Sequence, residues 1–554
     1  MTSLGKVKVY DPRVRPGSPA ARALRAPAAR LDERTSIVIV DRGYDGSAEL
    51  LSVFADALRR AVPGITVNLV PTVPQDRPSA DQLGSMGAGC DAVLVGIGSM
   101  SKACPDVIET AATSEKALGT RAVALLSEPF HDMADFVCRE RGIEPGICAF
   151  VPQRLIGASR ESIAAFYASE AGRAIVGNVI GALTSAASVV GDAGAAPGSA
   201  PDEPHQRRER FLETEDRPEN LQERFRACNW TDQLPVVLPT QALVRKMLKG
   251  TSRHADDVVG SFPSFLGGQG PAFTVHDVAV NAVMAGAEPE YLPVILAIAA
   301  SGVSARNPSA SSMAAMGLVN GPVRAELGIG SAIGAMGPYS HASATIGRSY
   351  GLLSQNLQVG GSTAGITYMG SQGNNAAFVT PIFGENEEAS PWPSFSSSQG
   401  NDDHGSYVSL WYGVRGTSFG IGAREATWRS YFGRVIRGMD IYMGPLVLLD
   451  PLVASDFRRF GFQSKTELGD WLYGEARINA REFWDHPVAV SFVRPQAESG
   501  VQPWCDSLRA GSDDMVPMFA RQSIHVAVVG GGTMDTWRMI SGMYRGTYSI
   551  DAWR

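Results

Sequence analysis

Several residues of the N-terminal half could bind a ligand or act as a nucleophile. They follow an apolar segment that predicts a buried strand. Gly96, Gly98 and Ser99 form a short loop there, and Cys104 precedes a proline at the predicted start of the next helix. Backbone amides between a strand and a helix can bind an anion, and a helix N-terminus lowers the pKa of a nearby thiol. We therefore expect Gly96, Gly98 and Ser99 to bind a small ligand and Cys104 to be a candidate nucleophile. A tight turn without a ligand, with Cys104 as a small buried residue, is the alternative.

Two further polar residues follow the next predicted strand, Ala122–Leu126. They are Glu128 and His131. Because ligands in open parallel sheets bind beyond the carboxyl ends of the strands, we expect both side chains to face the same crevice as Cys104. A carboxylate and an imidazole suit general acid–base catalysis. The alternative is that both are solvated residues at the start of the following helix.

In the C-terminal part, the candidate residues stand at or near predicted helix starts. Asn320 precedes a Gly-Pro pair that leads to Arg324, His341 begins a helix, and Arg348 lies one to two turns beyond it. Amide and guanidinium groups can bind an anionic or carbonyl-bearing molecule. We expect Asn320, Arg324 and Arg348 to bind substrate and His341 to transfer protons, with ordinary helix caps as the alternative for each.

No cofactor is assigned from the sequence. The Gly96 loop does not match the dinucleotide-binding fingerprint, because Ser101 stands where the third glycine belongs. Glu385, Glu387, Glu388 and His404 include ligand types that metal ions use. They lack a recognised metal-site spacing, so an acidic surface loop is the expected alternative and no metal is assigned.

The elements that must position these residues alternate between strands and helices in the N-terminal half. This alternation predicts an α/β domain with a doubly wound parallel sheet, Rossmann- or flavodoxin-like. The predicted strands are Ser36–Asp41, Ile65–Val70, Ala92–Gly96, Ala122–Leu126 and Ile147–Val151. The predicted helices are Ser47–Val62, Pro105–Leu118, Asp132–Arg141 and a long one over Ser159–Val190.

A Gly/Ala/Pro-rich stretch separates this domain from a larger mixed α/β region. We expect an N-terminal arm over residues 1–34, the α/β domain over 35–190, a linker over 191–214 and the mixed region over 215–554. The predicted elements of the mixed region are helices Val275–Ala285, Glu290–Ser301, His341–Leu357 and one from Ser464 to about Arg477, and strands Tyr407–Val414, Leu446–Leu449, Val488–Val493 and His525–Val529.

Composition favours a globular cytoplasmic protein. The chain has 554 residues with 44% apolar and 19% charged, which is typical of folded domains. A net charge of −7 gives no general footprint for nucleic acid or an anionic membrane. Six cysteines without a CxxC pair predict neither a disulfide framework nor a zinc knuckle. No signal peptide or membrane span is expected, because the longest apolar stretch is far shorter than the roughly 20 residues a span needs.

Short segments along the chain are shared with a known family. They are Ala26–Leu31, Asp91–Gly98, Glu115-Lys116, Ser127–Phe130 and Val151-Pro152 in the N-terminal half, and Thr231–Thr240, Asn281–Pro293, Asn320–Ile329, Ala344–Arg348 and Glu385–Trp392 in the C-terminal half. Through these segments the chain resembles the long, two-region form of the UGSC family of bacterial (seleno)proteins. The resemblance implies a fold and a domain plan rather than a particular reaction.

The chain departs from this family at the motif that gives the family its name. That motif is a selenocysteine or cysteine followed by Gly-Ser-Cys, in the loop after the central strand. Counting back from Glu115-Lys116 places Met100 at the redox position and Ala103 at the second cysteine. A thioether cannot act as a thiolate nucleophile. The departure therefore argues against thiol–disulfide turnover by the motif pair.

The hypothesis that follows is an enzyme that acts on a small anionic or carbonyl-bearing molecule in a cleft between the two regions. Its chemistry would be acid–base, of the lyase, hydratase or hydrolase type. Three alternatives stay open. One is a thiol oxidoreductase centred on Cys104, and another is a non-catalytic binding or assembly protein whose Gly/Ala-rich helices form a homo-oligomer. The third is a metalloenzyme that uses Glu385, Glu387, Glu388 or His404.

Overall fold

The computed structural model describes residues 8–14, 25–44, 46–73, 76–100, 102–185, 211–212, 218–264, 268–306, 313–359, 372–377 and 379–554. The strands are β1 Val9–Tyr10, β2 Ser36–Asp41, β3 Thr66–Pro71, β4 Ala92–Gly98, β5 Arg121–Ser127, β6 Cys148–Val151, β7 Phe211–Leu212, β8 Val258–Gly260, β9 Phe273–Thr274, β10 Ala314–Asn320, β11 Ile382–Gly384, β12 Tyr407–Val414, β13 Thr417–Ile421, β14 Pro445–Leu449, β15 Arg477–Asn479, β16 Met515–Pro517, β17 His525–Val528, β18 Thr536–Ser541 and β19 Met543–Ser549. The α-helices are α1 Ser47–Ala61, α2 Ala80–Met86, α3 Ala103–Leu118, α4 His131–Arg141, α5 Arg160–Ala168, α6 Glu170–Thr184, α7 Pro218–Ala227, α8 Gln241–Met247, α9 Val275–Ala285, α10 Leu292–Ala300, α11 Val323–Leu327, α12 His341–Leu357, α13 Phe395–Ser398, α14 Trp428–Arg437, α15 Pro451–Arg459, α16 Lys465–Glu475, α17 Ala480–Asp485, α18 Arg494–Glu498 and α19 Trp504–Arg509.

The chain divides into two compact units. The N-terminal unit comprises residues 17–206 with the short piece 490–495, and the C-terminal unit comprises residues 1–16, 207–489 and 496–554. Residues 8–14 of the predicted arm therefore belong to the C-terminal unit, where β1 pairs with β7 in antiparallel orientation. The predicted linker lies outside the described residues except for the two residues of β7.

The N-terminal unit contains a five-stranded sheet in the order β3-β2-β4-β5-β6, and every pair is parallel. Numbered along this unit, the order is 2-1-3-4-5, which is the doubly wound, flavodoxin-like arrangement. The central strands β4 and β5 are buried along their whole length, as expected for a sheet covered on both faces. The predicted fold class of the N-terminal half is thus confirmed.

One predicted helix of this unit is two helices. The pattern over Ser159–Val190 predicts one continuous helix, but α5 ends at Ala168 and α6 begins at Glu170. Ser169 between them has an extended backbone, and its hydroxyl accepts a hydrogen bond from the amide of Gly172. A serine that caps a new helix competes with helix continuation, so the apolar spacing alone was misleading. Residues 186–190 lie outside the described residues.

The C-terminal unit contains two four-stranded sheets with the same pairing pattern. The first has the order β11-β10-β12-β19 and the second β17-β14-β18-β13. In each sheet the first pair is parallel and the next two pairs are antiparallel. The hairpins exchange strands, because β13 follows β12 in the chain but pairs in the second sheet, and β19 follows β18 but pairs in the first.

The two sheets pack face to face between helices. Ala314, Met316 and Leu318 of β10 share a core cluster with Leu446 and Leu448 of β14. The alternate residues of β10 join a second cluster with α9, α10 and α12, as the two-residue period of a strand requires. On the far side, Phe432 of α14 stacks on Trp537 of β18 at a centroid distance of 3.9 Å. The result is a four-layer helix–sheet–sheet–helix arrangement.

Most elements predicted for residues 215–554 match the structure, and one is wrong, in a segment that largely belongs to the N-terminal unit. Helices α9 and α12 and strand β12 have the predicted bounds, and Ser464 caps α16 through the amide of Glu467. The predicted strand Val488–Val493 is instead helical, because Ala489–Val493 forms a π-helical segment that leads into α18. Short apolar runs fit both strand and helix. In the described part of the chain, no helix is both long and apolar enough to cross a membrane.

Candidate functional site

The carboxyl edge of the N-terminal sheet is filled by the chain's own charged side chains. Ligands of flavodoxin-like folds bind at the switch point between the first and third strands, here β2 and β4. Arg42 follows β2, is fully buried, and donates from Nε to Asp106 Oδ2 at 2.8 Å. Tyr44 donates to the same oxygen at 3.1 Å, and Arg77 Nε donates to Asp106 Oδ1 at 3.2 Å. A ligand at this edge would compete with these internal pairs.

The structure corrects the role expected for the Gly96 loop. Gly96 and Gly98 lie inside strand β4 and are buried, and only Ser99 lies beyond the strand. The carbonyl of Gly96 accepts a hydrogen bond from the amide of Arg42 at 2.8 Å. A Cβ added to Gly98 would lie 2.4 Å from a methyl carbon of Leu126. These glycines therefore allow close strand packing, and their expected role as ligand-binding loop residues is not supported.

The pKa expected for Cys104 is also wrong in direction. Cys104 is the second residue of α3, and its side chain is fully buried. Burial raises the pKa of the Cys104 thiol, and nearby Cys138 raises it further. The favourable effect of a helix N-terminus was expected to dominate, but desolvation of a thiolate is larger here. Cys104 is therefore not the low-pKa thiol that the sequence predicts.

Glu128 and His131 follow β5 as predicted. Glu128 begins a short 3-10 turn and is exposed, and His131 is the first residue of α4. The imidazole of His131 stacks on the ring of Phe150 in β6, with centroids 3.4 Å apart. The alternative that both residues are solvated at a helix start fits their exposure.

In the C-terminal unit, the ends of both sheets converge on a buried carboxylate, Glu385. It directly follows β11, and both its side-chain oxygens are occupied. Oε1 accepts from Lys465 Nζ at 2.5 Å and from the amide of Val528 at 3.1 Å. Oε2 accepts from Asn320 Nδ2 at 2.7 Å and from the amide of Phe395. A buried ion pair needs such additional hydrogen bonds to offset desolvation, so Glu385 joins four separated chain segments.

A second carboxylate, Glu387, continues this network toward solvent. Its Oε1 accepts from Asn320 Nδ2 and from the amide of Gly321, both at 2.8 Å, and its Oε2 pairs with Arg324 at 2.9 Å. Gly321 has a φ of +88°, and an added Cβ would lie 2.1 Å from the Gly405 carbonyl oxygen, so only glycine places this amide without strain. We call Asn320, Arg324, Glu385, Glu387 and Lys465 the Glu385 cluster.

Of the three substrate-binding residues predicted in the C-terminal part, the structure brings two together. Asn320 and Arg324 meet in the Glu385 cluster, where Arg324 is buried and is held by Glu387, Glu388 and two carbonyl oxygens. Arg348 instead forms a bidentate pair with Asp232 at 2.8 and 2.9 Å. These internal partners leave neither guanidinium in the role of a free anion receptor.

His341 lies apart from these pairs on the surface of the same unit. It is the first residue of α12, and its Nδ1 is 3.3 Å from the hydroxyl of Tyr291. Among the described residues no group of three or more His, Cys, Asp or Glu side chains is arranged to bind a metal ion. Glu385, Glu387 and Glu388 are engaged with Lys465, Asn320 and Arg324.

Sequence reasoning missed Lys465 and Arg42, two of the buried cations of these sites. Lys465 follows the Ser464 cap, where a first-turn lysine is ordinarily solvated, and its partner Glu385 is eighty residues away. Arg42 follows a predicted strand, but its partner Asp106 was taken only as a residue of the next helix. A signal was present for Arg42, because a charge directly after a buried parallel strand lies at the ligand edge of the sheet.

Comparison with known proteins gives one match. Residues 8–183 match the model of the UGSC family, which is about a third of the chain. No curated protein and no solved structure matches the chain. The match covers the five-stranded sheet and its helices, and the assignment of Met100 and Ala103 to the motif positions stays a prediction. Residues 8–183 of the chain are therefore similar to the UGSC family.

Proposed function

We propose that the chain is an enzyme that moves a proton on a small, carbonyl-bearing molecule, with Glu387 as the proton-transfer group. The observation that carries the proposal is the position of Glu387 at the outer end of the Glu385 cluster. Its side chain is 22% exposed, whereas Glu385 and Lys465 are buried. A carboxylate that reaches solvent while three donors fix its orientation meets the geometric need of general acid–base catalysis.

The buried members of the cluster support Glu387 by fixing Asn320. The amide nitrogen of Asn320 donates to both Glu385 and Glu387, so the Glu385–Lys465 pair determines where that amide points. The amide oxygen of Asn320 is buried and has no hydrogen-bond partner in the described part of the chain. A buried acceptor without a partner is costly in a structural network, and this cost supports a functional rather than a purely structural role for Asn320.

The substrate class follows from the charge of the site. Arg324 is already paired with carboxylates, so the site offers acceptors and a proton-transfer group rather than a receptor for a strong anion. A carboxylate base can remove a proton from the carbon next to a carbonyl group, which is the first step of many lyase and hydratase reactions. Acid–base chemistry of this type is thus kept, with Glu387 in place of Glu128, His131 and His341 as the proton-transfer group.

The test measures proton transfer directly. The protein is incubated in D2O with a panel of small uncharged aldehydes and ketones, beginning with dihydroxyacetone, and deuterium uptake next to the carbonyl is followed by NMR. Glu387→Gln should lower the exchange rate by about 10²- to 10⁴-fold. The matched control is Glu326→Gln, an exposed carboxylate on the Arg324 helix that pairs with Arg554 outside the cluster. The proposal fails if the unmodified protein exchanges no member of the panel, or if Glu387→Gln exchanges as fast as the control.

A further inference from the structure

A pair of thiols lies between α4 and β6 of the N-terminal unit. The Sγ atoms of Cys138 and Cys148 are 3.8 Å apart. Cys138 and His131 are seven residues apart on α4 and share a face, and Cys148 and Phe150 share a face of β6. The stacking of His131 on Phe150 therefore belongs to the same helix–strand contact. A disulfide bond is about 2.05 Å long, so rotation about the Cα–Cβ bonds must close a gap of about 1.8 Å.

A third thiol lies in the same neighbourhood, and the three differ in exposure. Cys104 and Cys138 both act electrostatically on Cys148 and raise its pKa. Cys104 and Cys138 are fully buried, whereas Cys148 is only partly buried. An oxidant that arrives from solvent therefore meets Cys148 first, and Cys138 is the thiol positioned to react with the product.

We propose that Cys148 and Cys138 are a peroxide-oxidisable pair that forms a reversible intramolecular disulfide. The thiolate of Cys148 attacks a hydroperoxide, ROOH, whose O–O bond breaks to give the Cys148 sulfenic acid and an alcohol, ROH. The Cys138 thiol then attacks the Cys148 sulfur, the S–S bond forms, and the sulfenic oxygen leaves as water. The peroxide gains the two electrons that the thiols lose. This inference concerns the N-terminal unit and goes beyond the acid–base function proposed for the Glu385 cluster.

The environment of the pair sets the pH dependence of this oxidation. The hydrogen bond with Cys138 and burial both raise the pKa of the Cys148 thiol. The nucleophilic thiolate is therefore a minor species at neutral pH. The oxidation rate should rise by roughly tenfold per pH unit between pH 7 and 9, because the thiolate fraction rises by that factor while pH stays below the pKa.

The chain offers a direct assay, because arginines flank both cysteines. Trypsin separates peptide 122–139, with Cys138, from peptide 142–154, with Cys148. After treatment of the folded full-length protein with hydrogen peroxide, mass spectrometry should detect these two peptides joined by a bond that dithiothreitol reverses. The exposed Cys228 shows in the same sample that the oxidant acted.

Variants separate the two roles. Cys138→Ser should abolish the joined peptides and leave Cys148 as a sulfenic acid that dimedone traps. Cys90→Ala, which removes another buried thiol of the same unit, should leave the joined peptides unchanged. The unmodified protein decides the question even if a variant fails to fold. Oxidised Cys228 together with unlinked peptides 122–139 and 142–154 would overturn the proposal.

Discussion

The two sheets of the C-terminal unit share one pairing pattern but carry different chemistry at equivalent positions. Val319 pairs with Gly384 in the first sheet as Leu449 pairs with Val528 in the second. Asn320 and Asp450 follow the equivalent residues of β10 and β14. Glu385 and Val529 likewise follow β11 and β17, and their amides bind the equivalent carbonyls, those of Val319 and Leu449, at 3.0 and 2.9 Å.

The difference lies in what each pair of residues does. Asp450 caps α15 by accepting from the amide of Leu452 at 3.0 Å, and it also accepts from the amide of Gly532 at 3.1 Å. These are ordinary loop and helix contacts. Asn320 instead joins two carboxylates, one of them in a buried ion pair. The shared strand pattern therefore supplies the scaffold, and only the first sheet supplies a polar centre.

The largest expected change in the free energy of unfolding is the difference between replacing Glu385 and replacing its counterpart Val529. Glu385→Ala leaves the ammonium of Lys465 buried without a charged partner, which should lower the free energy of unfolding by about 3–5 kcal/mol. Val529→Ala removes only part of a half-buried aliphatic side chain and should cost about 1 kcal/mol. Chemical denaturation measures both. Equal losses for the two variants would contradict the assignment of a special role to the first sheet.

A second effect concerns His525 at the start of β17. Burial, helped by Arg521, lowers the pKa of His525 to about 4 from its usual 6.5. Between these two pH values the unfolded chain binds a proton that the folded chain does not, so stability falls as pH decreases from 6.5 to 4. The loss attributable to this group is about 3 kcal/mol, and it does not grow below pH 4.

The His525 effect is tested by unfolding measurements across that pH range. His525→Asn should make the acid loss of stability smaller than in the unmodified protein. His404→Asn, at an exposed position, should leave the pH dependence as it is. Identical pH profiles for the unmodified protein and His525→Asn would sink this prediction.

The smallest effect compares Asn320 with Asp450 by exchanging their side-chain types. In Asn320→Asp a carboxylate oxygen replaces the amide nitrogen that now lies 2.7 Å from Glu385 and 2.8 Å from Glu387. Because the three carboxylates would repel one another, the free energy of unfolding should fall by about 2 kcal/mol. Asp450→Asn keeps an acceptor for the α15 cap and should cost about 1 kcal/mol or less. Thermal unfolding of both variants in one buffer gives the comparison. A larger loss for Asp450→Asn would reverse the roles of the two sheets.

The fold of the N-terminal unit could be predicted from the sequence because each of its elements has a recognisable pattern within a few residues. Each strand is a short apolar run and each helix repeats apolar residues at helical spacing, so β2 and α1 were predicted almost residue by residue. The break between α5 and α6 at Ser169 was missed because the apolar spacing fits one continuous helix as well as two helices, and only the backbone geometry of the Ser169 cap distinguishes them. In the C-terminal unit only three of the eight strands in the two four-stranded sheets, β12, β14 and β17, were predicted, and the order of the strands was not predicted. The sequences of β12–β13 and β18–β19 do not indicate that the second strand of each pair joins the other sheet.

For the candidate site, too, some residues could be predicted from the sequence and others could not. Asn320 and Arg324 were identified because they are polar residues on either side of a Gly-Pro pair that leads into a predicted helix. Their partners were not identified as such, since Lys465 comes from a distant helix and Glu385 was considered either as a metal ligand or as part of an acidic surface loop. The surface-loop interpretation of Glu385 is wrong, because its side chain is fully buried. Cys104 was assigned the wrong pKa direction because the sequence shows a helix start but not the depth at which it is buried.

The sequence by itself determined the apolar pattern, the alternation of strands and helices, and the positions of the caps, because these depend on neighbours a few residues apart. Tertiary structure alone decided which charges meet, how deeply the thiols of α3, α4 and β6 are buried, and which of two similar sheets holds a polar centre. Those properties depend on desolvation and on contacts between segments that lie tens of residues apart, and local spacing carries no information about either.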